Sequence, residues 1–296
     1  MNKIVACIVT YNRKKKLLNC IKALMRQSYK AFDILVVDNA STDGTYESIK
    51  AYIDAGVIRY ENTGANLGGA GGFNYAFKKM AELYEYIWIM DDDTYPYEKC
   101  LEALVAANQI LRGNYGFLSS LAEWTDGNAC LMNQQKLQEN IFDCFREIRA
   151  GLIPIKTASF VSLYVPSSNV KKYGLPIKDF FLWGDDEEYT RRLSKDGGFL
   201  VLQSGVLHDM ATNDGVNIVT NDVNRINRYY FFIRNRVYMA KQVHSLKEII
   251  KAYLSAMKQV IRVILYAKDN KFYRIRIIIK GMILGLTFNP KIEYLE

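Results

Sequence analysis

A chain of 296 residues has room for one large α/β domain with an appendage, or for two small domains. Half of its residues are hydrophobic and 24% are charged, a balance that excludes a disordered chain. The net charge of +8 is unevenly placed: residues 225–296 hold 15 Lys+Arg against 4 Asp+Glu, and the remainder holds 24 against 27. A basic last quarter points to an anionic surface, membrane or nucleic acid, or to a solvated helical face.

Five cysteines, at 7, 20, 100, 130 and 144, form no C-x-x-C pair. Their odd number and scatter predict reduced thiols, with neither a disulfide frame nor a zinc site. The start, MNKIVACIVTYNRKKK, is too short in apolar residues for a membrane span, and no stretch of about 18 uncharged apolar residues occurs elsewhere. The expectation is a chain without signal peptide or span, in the cytoplasm or peripheral on the inner face of the plasma membrane.

In chain order, Ile4–Thr10 reads as a buried strand and Lys14–Gln27 as a helix with apolar residues at Leu17, Leu18, Ile21, Leu24 and Met25. Ile34–Val37 is the next strand, followed by turn residues Ser41–Gly44 and a helix over Thr45–Ala55. Val57–Tyr60 reads as a strand and Asn62–Phe73 as a glycine-rich loop opening a helix from about Phe73 to Tyr84. Tyr86–Met90 is a fourth strand that ends at three consecutive aspartates. Residues 98–112 read as a helix, and 113–180 carry no clear period. Phe199–Leu207 is a strand that delivers His208. Leu246–Leu265 follows helical spacing, and Lys271–Leu286 is a second basic and apolar segment. Such β-α-β alternation predicts a mostly parallel sheet covered by helices, with ligands beyond the carboxyl ends of its strands.

Three patterns could carry chemistry. Asp91, Asp92 and Asp93 repel one another, so a cation or hydrogen bonds must offset the cost. In extended backbone, residues i and i+2 share a side, so Asp91 and Asp93 can converge on one Mg²⁺ or Mn²⁺ while Asp92 faces elsewhere. A solvated acidic turn is the bland alternative. The loop NTGANLGGAGGF permits close approach of backbone to a sugar or diphosphate, or is simply a flexible connector. The segment Trp183–Glu188 (WGDDEE) offers a carboxylate as general base beside an aromatic platform for a sugar face, or an ordinary acidic helix start. His208 gains weight because a carboxylate metal site can take imidazole as a further ligand.

Five blocks occur in order: VTYNR (9–13), VVDNASTDGT (36–45), NLGGAGGF (66–73), IMDDD (89–93) and FFLWGDDEEYTRR (180–192). Together they resemble the family 2 inverting glycosyltransferases, over roughly residues 1–240. Within that family the resemblance is nearest to bacterial galactofuranosyltransferases and rhamnosyltransferases. It implies a GT-A type, mostly parallel nucleotide-binding sheet flanked by helices. The implied catalytic domain spans 1–225, with a donor half at about 1–95 and an acceptor half at about 96–225. A basic amphipathic helical tail occupies 226–296.

The resemblance also implies roles. Asp91, Asp93 and His208 would hold Mn²⁺ or Mg²⁺. Asp186 would be the catalytic base, with Asp185 its rival, because Gly184 stands between Trp183 and the aspartate pair. Trp183 would meet the acceptor. Thr10, Asn12, Arg13 and Asp38 would contact the nucleotide, and Asn66, Gly68, Gly69 and Asp92 would complete the donor site. YYFFIRNR (229–236) resembles a tail motif behind the acceptor site. The implied donor is a UDP-sugar, UDP-galactofuranose, with dTDP-rhamnose as the alternative. The implied acceptor is a glycan or lipid-linked glycan of bacterial surface polysaccharide synthesis, met at the cytoplasmic membrane surface through the basic tail. The tail could instead pack on the catalytic domain or on a second subunit of a homo-oligomer. Nucleic acid ranks low because the basic residues are spread through apolar helices without a nucleic-acid motif. A nicotinamide-dependent oxidoreductase is disfavoured because the first loop lacks glycine. A non-catalytic nucleotide-sugar binding protein would have no need of Asp91, Asp93, Asp186 and His208.

Overall fold

The computed structural model describes residues 3–213 and 215–295; Met1, Asn2, Asp214 and Glu296 lie outside the described residues. The first part alternates as β1 (Ile4–Thr10), α1 (Lys14–Met25), β2 (Phe32–Asp38), α2 (Thr45–Asp54), β3 (Arg59–Asn62), α3 (Gly68–Met80) and β4 (Tyr86–Asp91). The middle comprises β5 (Thr94–Pro96), α4 (Cys100–Leu111), β6 (Phe117–Glu123), β7 (Lys136–Leu137), α5 (Phe145–Arg149), β8 (Leu152–Thr157), β9 (Leu163–Pro166) and α6 (Ser167–Tyr173). Then come α7 (Asp185–Leu193), β10 (Gly198–His208), α8 (Val223–Ile226), α9 (Tyr229–Gln242), α10 (Leu246–Tyr266) and α11 (Lys271–Thr287).

One sheet runs through the molecule in the order β3-β2-β1-β4-β9-β6-β10-β8-β7, with β5 paired to β10. The block β3-β2-β1-β4 is parallel, as the alternation requires. Beyond β4 the sheet is mixed: β9 lies antiparallel between β4 and β6, and β6 is parallel to β10. Strand β1 shows why two layers of helix are needed. Ile4, Ala6 and Ile8 enter one core with Leu17, Ile21 and Leu24 of α1, while Val5, Cys7 and Val9 enter the opposite core with Phe73 and Phe77 of α3. Alternate residues of a strand point to opposite faces, so a strand buried on both sides must be apolar throughout.

The sequence reading starts α3 too late. The helix begins at Gly68, so four glycines taken for loop form its first turns. Close packing explains them better than flexibility. A Cβ on Gly72 would stand 2.5 Å from Val9 Cγ1, and one on Gly71 would stand 2.5 Å from Leu67 Cβ. Tertiary contact here overrides the low helix propensity of glycine. Strand β3 also begins two residues later than expected.

The last helices are not a detached tail. Ile218, Ile226, Tyr229 and Ile233 share a core with Ala256, Val260 and Val263 of α10 and Ile277 and Ile278 of α11. The reverse side of α9 places Tyr238 and Met239 against Phe180 and Ile177. Arg274, buried in α11, donates to Ile218 O and, at 3.0 Å, to Asn221 O, tying the segment after β10 to the same group. Among the described residues, no helix is long and apolar enough to cross a membrane.

Candidate active site

A cleft of about 660 Å³ opens at the carboxyl ends of β1 and β4. Its floor carries Asp91, Asp93 and His208, and its far wall carries Trp183, Asp185 and Asp186. Two features of the sheet bring the floor together. β4 ends at Asp91, so Asp93 lies just past the strand. β10 then crosses to pair antiparallel with β5, with His208 opposite Thr94. Each of Asp91, Asp93 and His208 offers a ligand atom within 4.8 Å of the others.

The electrostatics of this trio suit a cation. Burial raises the Asp91 carboxyl to about 7, and the neighbouring Asp93 charge pushes the same way. Burial also works against ionised Asp93, but its hydrogen bond with His208 and the charge of Arg13 hold it near 2. Burial opposes a charged His208, yet the bond from Nε2 to Asp93 Oδ1, 3.2 Å, raises it to about 10. The other ring nitrogen is fixed: Nδ1 lies 2.7 Å from Asn133 Oδ1, while Asn133 Nδ2 donates to Ser159 Oγ at 2.8 Å. That arrangement gives the Nδ1 proton an acceptor and turns Nε2 toward the two carboxylates, so that loss of the Nε2 proton to a cation would leave an oriented ligand nitrogen. Two carboxylates and an oriented imidazole form a donor set suited to Mn²⁺ or Mg²⁺.

Asp92 points away from the cleft. Its Oδ2 accepts from Thr10 Oγ1 at 2.8 Å and its Oδ1 from Arg13 Nη1 at 3.2 Å. Arg13 Nη1 also reaches Asp93 Oδ2 at 2.8 Å, and Lys16 Nζ lies 3.5 Å from the same oxygen. Thr10, Arg13 and Asp92 thus join β1 to the aspartate turn, with Arg13 alone of the three lining the cleft.

Asp38 and Asn12 organise a neighbouring recess. Asp38 is buried; its Oδ1 accepts from Ser41 N–H at 2.9 Å and its Oδ2 from Tyr60 O–H at 2.8 Å. Asn12, at φ +52°, donates its N–H to Ser41 Oγ and accepts from Thr42 N–H. Ser41, Thr42, Gly44, Tyr46, Tyr60 and Asn62 line the recess. Asn66 Oδ1 accepts from Gly68 N–H at 2.9 Å, a local turn just ahead of α3. Gly68, at φ +73°, abuts the 181 segment: a Cβ there would lie 2.2 Å from Phe181 O. Gly69 has open space instead and faces the cleft.

The far wall rests on unusual backbone. Phe181, Trp183 and Gly184 have φ of +63°, +64° and +86°. Positive φ is costly for two aromatic residues, and such strain persists where surroundings over-determine it. Here α9 does so. Asn235 Nδ2 lies 3.1 Å from Phe180 O, 3.1 Å from Leu182 O and 2.8 Å from Trp183 O. Arg234 donates to Asp179 O at 2.6 Å and to Phe180 O at 3.1 Å. Trp183 packs at 5.1 Å from Tyr229 and 6.1 Å from Phe232. The turn then feeds α7, whose first turn holds both aspartates. Burial drives the Asp185 carboxyl well above its usual range, with the Asp186 charge adding to the effect. Burial raises Asp186 to about 6, although Glu187 N–H donates to its Oδ1 at 2.7 Å.

Asn133, Lys136, Asn235 and Arg236 are absent from the sequence-derived site. Asn133 and Lys136 sit in the stretch without periodicity and carry no local signal. Asn235 and Arg236 belong to YYFFIRNR, a block singled out without individual roles.

The Glycosyl transferase family 2 model matches residues 5–113. A galactofuranosyltransferase, GlfT1 of Mycolicibacterium smegmatis, is 26% identical over 264 residues, spanning 81% of this chain and 83% of the relative. The crystal structure of S. aureus TarS 1–349 with UDP-GlcNAc superposes at TM-score 0.56 and 15% identity, covering 97% of this chain and 73% of that one. GalNAc-T7 with UDP, GalNAc and Mn²⁺ gives TM-score 0.61 at 13% identity, covering 80% of this chain and 51% of that one.

Proposed function

We propose that this chain is a family 2 glycosyltransferase with the GT-A fold that moves galactofuranose from UDP-galactofuranose to a lipid-linked glycan with inversion. The glycosyltransferase assignment rests on the family match over residues 5–113 and on the GlfT1 relative, matched over 81% of this chain. The observation that carries the finer reading is the division of the cleft: a cation-suited trio on its floor and a proton-accepting aspartate on its wall. The galactofuranosyltransferase relatives support the sugar, and the UDP-sugar of the TarS complex supports the nucleotide.

One displacement suffices. The acceptor hydroxyl oxygen bonds to the anomeric carbon as the bond from that carbon to the diphosphate oxygen breaks. Asp186 takes the hydroxyl proton, a role suited to a carboxyl near 6 that is ionised at neutral pH. Burial and the Asp186 charge push the Asp185 carboxyl well above its usual range, whereas Asp186 sits near 6, which favours Asp186 over its neighbour as base. Asp91, Asp93 and His208 would hold Mn²⁺ or Mg²⁺, which when bound supplies positive charge to offset that of the departing diphosphate. Asn133 orients the His208 ring through Nδ1, and Arg13 adds a fixed positive charge at the same end. Trp183 offers an apolar face to the acceptor sugar.

The tail supports placement at a membrane surface. Leu246, Ile250, Leu254, Met257, Ile261 and Leu265 form an exposed row on α10, bordered by Lys247, Lys251, Lys258 and Arg262. An apolar row flanked by cations suits an anionic leaflet, consistent with a site on the cytoplasmic membrane face.

A panel of UDP- and dTDP-sugars offered to the purified protein tests the donor. Release of UDP from UDP-galactofuranose above all others is expected. Preferential cleavage of dTDP-rhamnose would replace galactofuranose with rhamnose, and no cleavage or binding of any donor would overturn the enzymatic reading.

A further inference from the structure

The wall beside Asp186 brings two cations, Lys136 and Arg236, to the cleft, and Arg191 joins Lys136 at the carboxylate of Glu187. That carboxylate is already matched: its Oε1 lies 2.5 Å from Lys136 Nζ and 2.9 Å from Arg191 Nη2. Its ionised form is favoured by both, with a smaller contribution from Arg236, against the cost of burial. Arg236 is left over. Its guanidinium sits 4.6 Å from the centre of the Phe232 ring, and no carboxylate among the described residues pairs with it. It lines the cleft, and so do the neutral amides of Gln134 and Gln259. Gln259 comes from α10, the helix whose outer face carries the exposed apolar row.

We propose that Arg236 is the centre of an anion subsite that takes a phosphate group of the acceptor, next to the sugar that receives the transferred residue. A guanidinium over an aromatic ring can still turn N–H groups toward phosphate oxygens, and the ring contact limits the freedom lost on binding. The donor diphosphate has its own place on the floor, where Asp91, Asp93, His208 and Arg13 meet. A phosphate on the Arg236 wall therefore belongs to the second substrate. Its position beside α10 fits a phosphate that joins a glycan to a lipid. This inference rests on the glycosyltransferase reading above and adds the residue that holds the acceptor's phosphate.

The test uses the full chain saturated with UDP and MnCl₂, so that the donor site is filled. Hexyl phosphate is then titrated by calorimetry into the wild type, Arg236→Gln and Lys280→Gln. Lys280 is another cation of the tail, stacked on Tyr230, and controls for loss of charge alone. Hexyl phosphate should bind the wild type, Arg236→Gln should weaken it about tenfold, and Lys280→Gln should leave it within about twofold. UDP affinity measured in each variant establishes that the fold is intact. No binding of hexyl phosphate to the UDP-loaded wild type, or equal binding by Arg236→Gln, would overturn the subsite. Failure of UDP itself to bind the wild type would instead remove the glycosyltransferase reading on which the proposal depends. Vesicles containing phosphatidylglycerol separate the two sources of phosphate. Arg236→Gln should float with them as the wild type does; a matching loss of flotation would make Arg236 a bilayer contact and refute the acceptor assignment.

Discussion

Replacing Asn235 by alanine isolates what α9 does for the reaction. Asn235 is 1% exposed and does not line the cleft. Its amide N–H groups serve the carbonyls of Phe180, Leu182 and Trp183, all within 3.1 Å. Two protons sustain about two full hydrogen bonds, and losing them costs ~1 kcal/mol each, with a further ~1 kcal/mol for carbonyls left buried. That total of about 3 kcal/mol is comparable with the strain held in Phe181 and Trp183, at ~1–3 kcal/mol each. The segment should therefore relax toward negative φ and carry Trp183 and the start of α7 with it. Turnover of donor and acceptor should fall more than about tenfold, since small misplacements of a base cost that much. UDP affinity should stay within about twofold, because the donor end is built by β1, β2 and β4. Asn235→Asp, equal in shape, should be at least as damaging, since it sets an oxygen against three carbonyl oxygens. Calorimetric UDP binding, steady-state UDP release and a thermal melt measure all of this. A stable Asn235→Ala protein with full turnover would show that α9 does not hold the catalytic wall. An equal loss of UDP affinity would show that the whole cleft had collapsed.

Asp186→Asn should lower transfer about 10²- to 10⁴-fold with UDP affinity retained; an Asp185→Asn variant showing the larger loss would reassign the base. Because burial sets the Asp186 carboxyl near 6, kcat/KM should rise as pH climbs through about 6, the acid form being unable to accept a proton. A profile flat from pH 5 to 8 would contradict that role. Excess chelator should abolish turnover and Mn²⁺ or Mg²⁺ restore it, whereas His208→Ala should need far more metal; undiminished turnover in chelator would exclude a required cation. Gly68→Ala must place a methyl 2.2 Å from Phe181 O at φ +73°, costing ~3 kcal/mol from strain and overpacking combined, and melting should drop by several degrees.

Legibility followed the range of the interactions involved. The run from β1 to β4 was readable because each element repeats at its own period and pairs with a parallel neighbour close in sequence. Asp91 and Asp93 were readable as a pair from alternation along a strand end, whereas His208 joined them only through the family resemblance. The start of α3 was misplaced because glycine signals loop locally, whereas here it permits contact with Val9 and Leu67. Residues 113–180 resisted reading for another reason: β7 has two residues, and β9 inserts between two strands far from it in sequence. Asn133 lies in that stretch, and its value comes wholly from a partner 75 residues away. The α9 contacts were hidden likewise, since an asparagine in a helix shows nothing of the carbonyls it will meet.

The pairing of β5 with β10 bears on which changes in chain length this protein can absorb. Thr94 opposite His208 and Pro96 opposite Val206 fix how far β10 travels before it reaches Asp93. β10 already contains an irregularity between Val201 and Gly205, where its partner β6 advances by a single residue. Deleting or inserting one residue between 205 and 208 would turn the imidazole to the other face of the sheet, away from both aspartates. Such a lesion cannot be repaired by choosing another side chain at 208. Lineages of this chain should therefore vary in length after His208, in the 209–222 segment, and hold the count constant before it.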